Sequence, residues 1–103
     1  MKDLGKLIKQ AQQVQERLAE MHARLAEKTV EVTSGGGMVA VVMNGKHEVV
    51  SLKIDPEVVN PADVEMLEDL VIASLNEART RVDDMVRNEM SSLTGGLPIP
   101  GLL

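Results

Sequence analysis

The first 25 residues place an apolar side chain at every third or fourth position, and this spacing constrains the fold more than any other feature of the sequence. Such a repeat gathers the apolar residues on one stripe of an α-helix. The residues between them are mostly good helix formers, and the first proline comes only at Pro56. The sequence therefore predicts a long helix that ends near Lys28. Its apolar seam is Leu4, Leu7, Ala11, Val14, Leu18, Met21 and Leu25.

Three short stretches after this helix predict β-strands. Residues 29–34 alternate apolar with polar side chains, and residues 38–43 are continuously apolar. The third stretch, Val49–Ile54, alternates again, so one face is expected to carry Val50, Leu52 and Ile54 and the other Val49, Ser51 and Lys53. Three glycines separate the first two strands. Asn44-Gly45 is expected to supply the positive φ angles of a tight hairpin turn after the second, which makes the sheet an antiparallel meander.

A second long helix is predicted after Pro56. Asn60-Pro61-Ala62-Asp63 offers an N-cap, a proline for the first helical position and an acid for the first turn, and Gly95-Gly96 should end the helix. The fold class is therefore α+β, with one domain over residues 1–95 and a mobile apolar Pro/Gly tail over residues 96–103. The predicted seam is Val64, Leu67, Val71, Ser74, Ala78, Val82 and Met85, widened by Leu70, Ile72 and Leu75.

The predicted parts differ in length, which favours a homodimer. A six-residue strand spans roughly 20 Å and each helix roughly 40 Å, so half of each helix should project beyond the sheet. The two seams could cover one another as an antiparallel pair. The continuously apolar second strand suggests that both faces of the sheet are covered, one of them by another subunit. The chain also has no Phe, Trp or Tyr to enlarge a thin core.

The composition argues against an enzyme, a cofactor or a metal site. There is no cysteine, and the only histidines, His22 and His47, are expected to face solvent without the spacing of a known ligand motif. The run Ser34-Gly35-Gly36-Gly37 lacks the lysine of a phosphate-binding loop and enters a strand, so we interpret it as a turn. The N-terminal residues lack the apolar stretch of a signal peptide, and the longest apolar run is too short to cross a bilayer. We therefore expect a cytoplasmic protein without a membrane partner.

The distribution of charge points to one candidate surface. The net charge is −5, yet residues 1–28 carry six bases against four acids. Lys2, Lys6 and Lys9 fall on one face of the first helix, opposite the seam, and Gln10 and Gln13 extend that face with groups that can hydrogen-bond phosphates. Arg17 lies further along. An ordinary solvated face explains the same pattern, and charge alone favours that explanation.

Several stretches of the sequence resemble the YbaB/EbfC family of nucleoid-associated proteins. The stretch LIKQAQQVQE, which starts at Leu7, is similar to the family's first helix, and GGGMVAVVMNG, which starts at Gly35, is similar to its glycine turn, strand and hairpin. VSLKIDP from Val50 resembles the third strand, and MLEDLVIASLNEA from Met66 resembles the start of the second helix.

The resemblance implies a tweezer-like homodimer with helical arms that binds duplex DNA in the bacterial nucleoid. It places Lys2, Lys6, Lys9, Gln10 and Gln13 at the DNA surface, with Arg79, Arg81 and Arg87 of the second helix as weaker candidates. The rival hypothesis is an adaptor that clamps a protein partner, in recombination or repair, without binding DNA. The acidic net charge favours that rival.

Overall fold

The computed structural model describes the backbone of residues 2–93 and the side chains of residues 3–92. Helix α1 spans Lys2–Glu27, strands β1, β2 and β3 span Thr29–Ser34, Val39–Asn44 and Val49–Ile54, and helix α2 spans Val64–Leu93. A short 3-10 turn at Pro56–Val58 precedes α2. The predicted α+β order is confirmed, with β2 displaced by one residue. The expected end of α2 at Gly95-Gly96 and the expected tail at residues 96–103 lie outside the described residues.

The sheet is an antiparallel meander in the order β1-β2-β3. Val32 of β1 pairs with Val41 of β2, which pairs in turn with Leu52 of β3, so these three side chains share one face. The alternation predicted for β3 is interrupted, because the register skips Val50 and pairs Met43 with Val49. A bulge of this kind bends an edge strand.

The core lies between one face of the sheet and α2. The cluster combines Val32, Val41 and Met43 of the sheet with Ala78 and Val82 of α2. The buried Ser74 also belongs to the predicted seam, and its hydroxyl donates to the carbonyl of Val71 at 2.9 Å, so the polar group is satisfied. Helix α2 covers β1 and β2. The predicted seam of α2 is therefore confirmed at its centre.

The two helices do not form the expected antiparallel pair. Their contact is slight and lies where the C-terminal ends of both helices meet, near Arg24 and Glu89. Helix α2 contacts the rest of the chain at points from Leu70 to Glu89. The described side chains of α1, by contrast, are exposed from Asp3 to Arg17, so about 24 Å of this helix extends away from the sheet and α2.

The turn between β2 and β3 differs from the predicted tight turn. Neither Asn44 nor Gly45 has a positive φ, and the left-handed residue of this loop is His47, with φ 62°. The Asn44 side-chain oxygen instead accepts from the backbone N–H groups of Lys46 (2.9 Å) and Glu48 (3.1 Å). This side chain closes a longer loop, which the dipeptide alone does not reveal.

The start of α2 also differs from the prediction. Asp63, and not Asn60, is the N-cap, because its carboxylate accepts from the N–H of Met66 at 3.3 Å. Asn60 organises the preceding turn, in which its side chain accepts from the N–H of Ala62. Pro61 therefore belongs to a turn and not to the first turn of the helix.

Candidate nucleic-acid interface

The first sixteen residues of α1, residues 2–17, form an arm that no other part of the described chain covers. Every described side chain from Asp3 to Arg17 is exposed, including seam residues such as Leu7 (61% exposed) and Val14 (54%). The seam becomes buried only at Met21 and Leu25, where α1 reaches the sheet and α2. The sheet and α2 together are here called the body of the molecule. The arm thus presents two faces to its surroundings, one apolar and one polar.

The polar face of the arm carries the basic residues predicted from the sequence. At about 100° per residue, Lys6, Lys9 and Gln13 lie on the side opposite the seam, with Gln10 and Arg17 at its edge. All five are exposed, and they extend over about 16 Å of the helix axis. Lys2 continues this face along the backbone, but its side chain lies outside the described residues. The arm carries four bases against two acids.

The arm cations differ from the predicted arginines of α2 in their partners. Among the side chains of residues 3–92, Lys6, Lys9 and Arg17 make no ion pair. Arg81, by contrast, binds Glu77 at 2.9 Å and the carbonyl of Glu31, and Arg87 binds Asp84 at 3.1 Å. Arg79 is exposed. The structure therefore gathers the predicted α1 residues on one face and leaves the three arginines on a separate element.

A group of contacts that the sequence did not reveal anchors the arm. The N–H of Gly45 donates to the carbonyls of Leu25 (2.8 Å) and Lys28 (3.0 Å), which lie at the C-terminal end of α1. Lys28 also forms an ion pair with Glu89 of α2, and Arg24 lies 3.7 Å from the same carboxylate. The hydrogen bond from Lys28, together with the two positive charges, holds the pKa of Glu89 below its ordinary value against the opposing effect of desolvation.

This anchor fixes the direction in which the arm leaves the body. Gly45 must be small, because a Cβ there would lie 2.5 Å from the backbone oxygen of Leu25. The residues that meet are between seventeen and sixty-five positions apart in the chain, so no local pattern marks them. The only signal in the sequence is the Asn-Gly dipeptide itself, whose usual explanation is a tight turn.

The two histidines and the glycine turn are surface features in the described part of the chain. Within residues 3–92 no group of three or more His, Asp or Glu side chains could hold a metal ion. His22 is exposed as expected, and His47 contacts Asp83 through Nε2 at 2.7 Å on the surface. Gly35, Gly36 and Gly37 all have positive φ and form the predicted turn. No helix in the described part of the chain is both long and apolar enough to cross a membrane.

Comparison with known proteins gives consistent matches across the chain. A family model described as the YbaB/EbfC DNA-binding family matches residues 1–97. A nucleoid-associated protein of Thermoanaerobacter pseudethanolicus is 52% identical over 100 residues, which cover 97% of this chain and 90% of that protein. A nucleoid-associated protein of Caldanaerobacter subterraneus is 53% identical with the same coverage. The crystal structure of an uncharacterized protein from Helicobacter pylori, 24% identical, superposes with a TM-score of 0.77 over 91% of this chain and 96% of that one, and so shares the fold.

Proposed function

Because the chain belongs to the YbaB/EbfC DNA-binding family, we propose that it binds duplex DNA as a homodimer, through the basic faces of two arms. The observation that carries this proposal is the arm itself. Its cations lack carboxylate partners among the described side chains, and they lie on a helical segment about 24 Å long that is exposed throughout its described side chains. Phosphates can therefore approach this face without displacing an existing contact.

The apolar face of the arm supports the dimer. Leu4, Leu7 and Val14 of the seam and the neighbouring Ile8 are all more than half exposed, and an apolar face of this size on a projecting helix is seldom left in water. A second copy that covers the seam leaves the basic face outward, since the two faces lie on opposite sides of the helix. Dimerisation also doubles the number of phosphate contacts. In analytical ultracentrifugation the protein should sediment as a dimer at micromolar concentration.

The chemistry of the arm favours contacts to phosphates over recognition of bases. Lysine and glutamine side chains on a single exposed helix position a protein along the backbone, and residues 2–17 contain no recognition-helix motif. The chain also contains no aromatic residue on which an unpaired base could stack. We infer a preference for duplex over single-stranded DNA, with little dependence on sequence. Such binding suits an architectural role in the nucleoid.

A pair of charge-matched variants tests the proposal. Lys6→Glu/Lys9→Glu changes the basic face of the arm, whereas Lys46→Glu/Lys53→Glu changes two exposed lysines of the β2–β3 hairpin and alters the net charge equally. A dimer that uses about six lysine contacts should lose affinity with salt at a log–log slope near −5. The arm variant should flatten that slope by about 3 to 4, because four contacts are removed. The hairpin variant should keep the slope of the parent.

Two results would contradict the proposal in different ways. Equal losses in both variants would mean that net charge governs binding and that the arm is an ordinary solvated face. A parent protein that binds no duplex at low salt would favour the second candidate function, a clamp for a protein partner in recombination or repair. The net charge of −5 and the acidic start of α2 are the observations that favour that candidate.

A further inference from the structure

The Asn44-Gly45 dipeptide does not form the tight turn expected of it, and its chemistry makes it the pair of residues in this chain most prone to deamidation. In that reaction the backbone nitrogen of the following residue attacks the side-chain amide of asparagine. Of the four asparagines only Asn44 precedes glycine, whereas the others precede proline or glutamate. Glycine leaves the attacking nitrogen unhindered and adopts the backbone angles of ring closure more readily than other residues.

The β2–β3 loop holds the side chain of Asn44 in a state that favours attack. Its Oδ1 atom accepts from the backbone N–H groups of Lys46 at 2.9 Å and Glu48 at 3.1 Å. Two donors on a carbonyl oxygen stabilise the negative charge that develops there when a nucleophile adds to the carbon. The loop therefore polarises the amide that would be attacked, and only the attacking nitrogen needs to become available.

That nitrogen is held by residues 24–28, here named the root of the arm. The N–H of Gly45 donates to the carbonyls of Leu25 at 2.8 Å and Lys28 at 3.0 Å. Attack requires the nitrogen to lose its proton, and a proton shared with two carbonyl oxygens is harder to remove. Gly45 is also buried, and Asn44 is 7% exposed, which limits the access of hydroxide and water. The protection of this dipeptide therefore depends on the root staying against the loop.

We propose that Asn44 is a deamidation site that the root of the arm keeps closed, and that its modification releases the arm. When the root separates from the loop, the Gly45 nitrogen loses its proton to solvent and attacks Cγ of Asn44. The side-chain amide takes up a proton and leaves as ammonia, and a cyclic imide joins the two residues. Water then opens the ring at either carbonyl, which gives aspartate or, with the main chain rerouted through the side chain, isoaspartate. Water is the only co-reactant.

Either product opposes the contacts that hold the root. In the unmodified chain Nδ2 of Asn44 donates to Oε1 of Glu48 at 3.0 Å. Aspartate replaces this donor by an oxygen, so two carboxylates face each other and repel. Isoaspartate instead lengthens the main chain immediately before Gly45, so the Gly45 N–H moves away from the two carbonyls of the root. The modified chain therefore holds its arm less firmly than the unmodified one.

Two rates measured at the same dipeptide test the first half of the proposal. Deamidation of Asn44, followed by peptide mass spectrometry with enzymatic detection of isoaspartate, should track hydrogen exchange of the Gly45 amide, because both require the same local opening. Leu25→Ala removes a side chain that is 3% exposed from the root and keeps the dipeptide and both carbonyls. It should accelerate both processes by at least about tenfold. The parent unfolded in urea gives the unprotected rates.

Val39→Ala is the matched control. Val39 is fully buried at the opposite end of β2, five residues, or about 16 Å, from Asn44. This variant should lower the urea midpoint and leave both rates close to those of the parent, because the opening is local. Equal acceleration in the two variants at equal loss of stability would show that global unfolding exposes the dipeptide, and would overturn the proposal. A folded parent that deamidates as fast as in urea would overturn it too.

A milder variant keeps the test decisive if Leu25→Ala does not fold. Glu89→Gln removes the carboxylate that Arg24 and Lys28 share at the surface of the root. It should accelerate exchange and deamidation together, by up to about fivefold. Faster exchange without faster deamidation would overturn the proposal, since the lock would then lie elsewhere.

The second half of the proposal is tested with Asn44→Asp, which reproduces the charge of one product without rerouting the main chain. Trypsin should cleave after Lys28 about tenfold faster in this variant than in the parent, because the repulsion from Glu48 loosens the loop from the root. Asn44→Asp/Glu48→Gln removes the repulsion and should restore most of the parent's resistance. Unchanged cleavage in Asn44→Asp, or no rescue in the double variant, would overturn the release of the arm by modification.

Discussion

Replacing Gly45 by alanine tests the contact that gives the arm its direction. Gly45 lies at the start of the β2–β3 loop and does not have a positive φ, so the backbone does not require a glycine there. The added Cβ, however, would lie 2.5 Å from the carbonyl oxygen of Leu25 and 2.7 Å from the Leu25 Cβ. Both atoms are fixed to the backbone of α1, so a change of side-chain rotamer cannot move them aside. The loop and the end of α1 must therefore separate.

The expected cost combines two terms. Overpacking against backbone atoms costs about 1–3 kcal/mol. The separation also weakens the hydrogen bonds from Gly45 N–H to Leu25 and Lys28, which adds about 1 kcal/mol. We expect Gly45→Ala to lower the free energy of unfolding by about 2–4 kcal/mol. In a domain of this size that loss corresponds to a decrease in Tm of at least about 10 °C.

Urea denaturation followed by far-UV circular dichroism measures this change, since the chain has no tryptophan or tyrosine to report by fluorescence. Parent and variant must be compared at equal protein concentration, because the proposed dimer would gain stability with concentration. Gly5→Ala is the control. No atom lies within 4 Å of its added Cβ, and a helical glycine replaced by alanine should gain about 0.5–1 kcal/mol.

An unchanged unfolding midpoint in Gly45→Ala would refute the reasoning. It would mean that the end of α1 does not rest on the hairpin, and the direction of the arm would then have no structural cause. A variant that loses stability yet keeps its parent's DNA affinity would have a different meaning. It would show that the basic face acts without a fixed arm.

Three further predictions concern the core, the anchor and the tail. Val41→Asp buries an unpaired carboxylate in the middle strand, so the variant should be largely unfolded by circular dichroism, and a folded dimer would place Val41 at the surface. The pKa of Glu89 is lowered in the folded state, so its stabilisation is present above about 4.5 and is lost as pH falls through the lower folded pKa. Glu89→Gln should lose up to about 1 kcal/mol at neutral pH and show a smaller decrease on acidification than the parent. Removal of residues 96–103 is predicted to leave Tm and sedimentation unchanged, because the prolines and glycines in that stretch of sequence do not favour a helix or strand, and a large fall in Tm would contradict this.

Helices, strands and core were predictable because their signals are local. The seam of α2 predicted the burial of Ser74, Ala78 and Val82, and the family match confirms the resemblance identified from short stretches of sequence. The position of α1 was not predictable in this way. From the sequence, its seam could equally pair with α2 of the same chain. The orientation of α1 depends instead on the contact between Lys28 and Glu89, which are sixty-one residues apart.

The candidate site also combines features that local sequence patterns predict with contacts that they do not. The basic face of the arm follows from helical spacing, so Lys6 and Lys9 are exposed where the sequence placed them. The pairing of Arg81 with Glu77 and of Arg87 with Asp84 also has a sequence signal, namely the i,i+4 and i,i+3 spacing of opposite charges. That spacing gives a physical reason why both arginines are weaker candidates than the lysines, as the resemblance already implied. The pairing of Arg24 with Glu89 has no such signal.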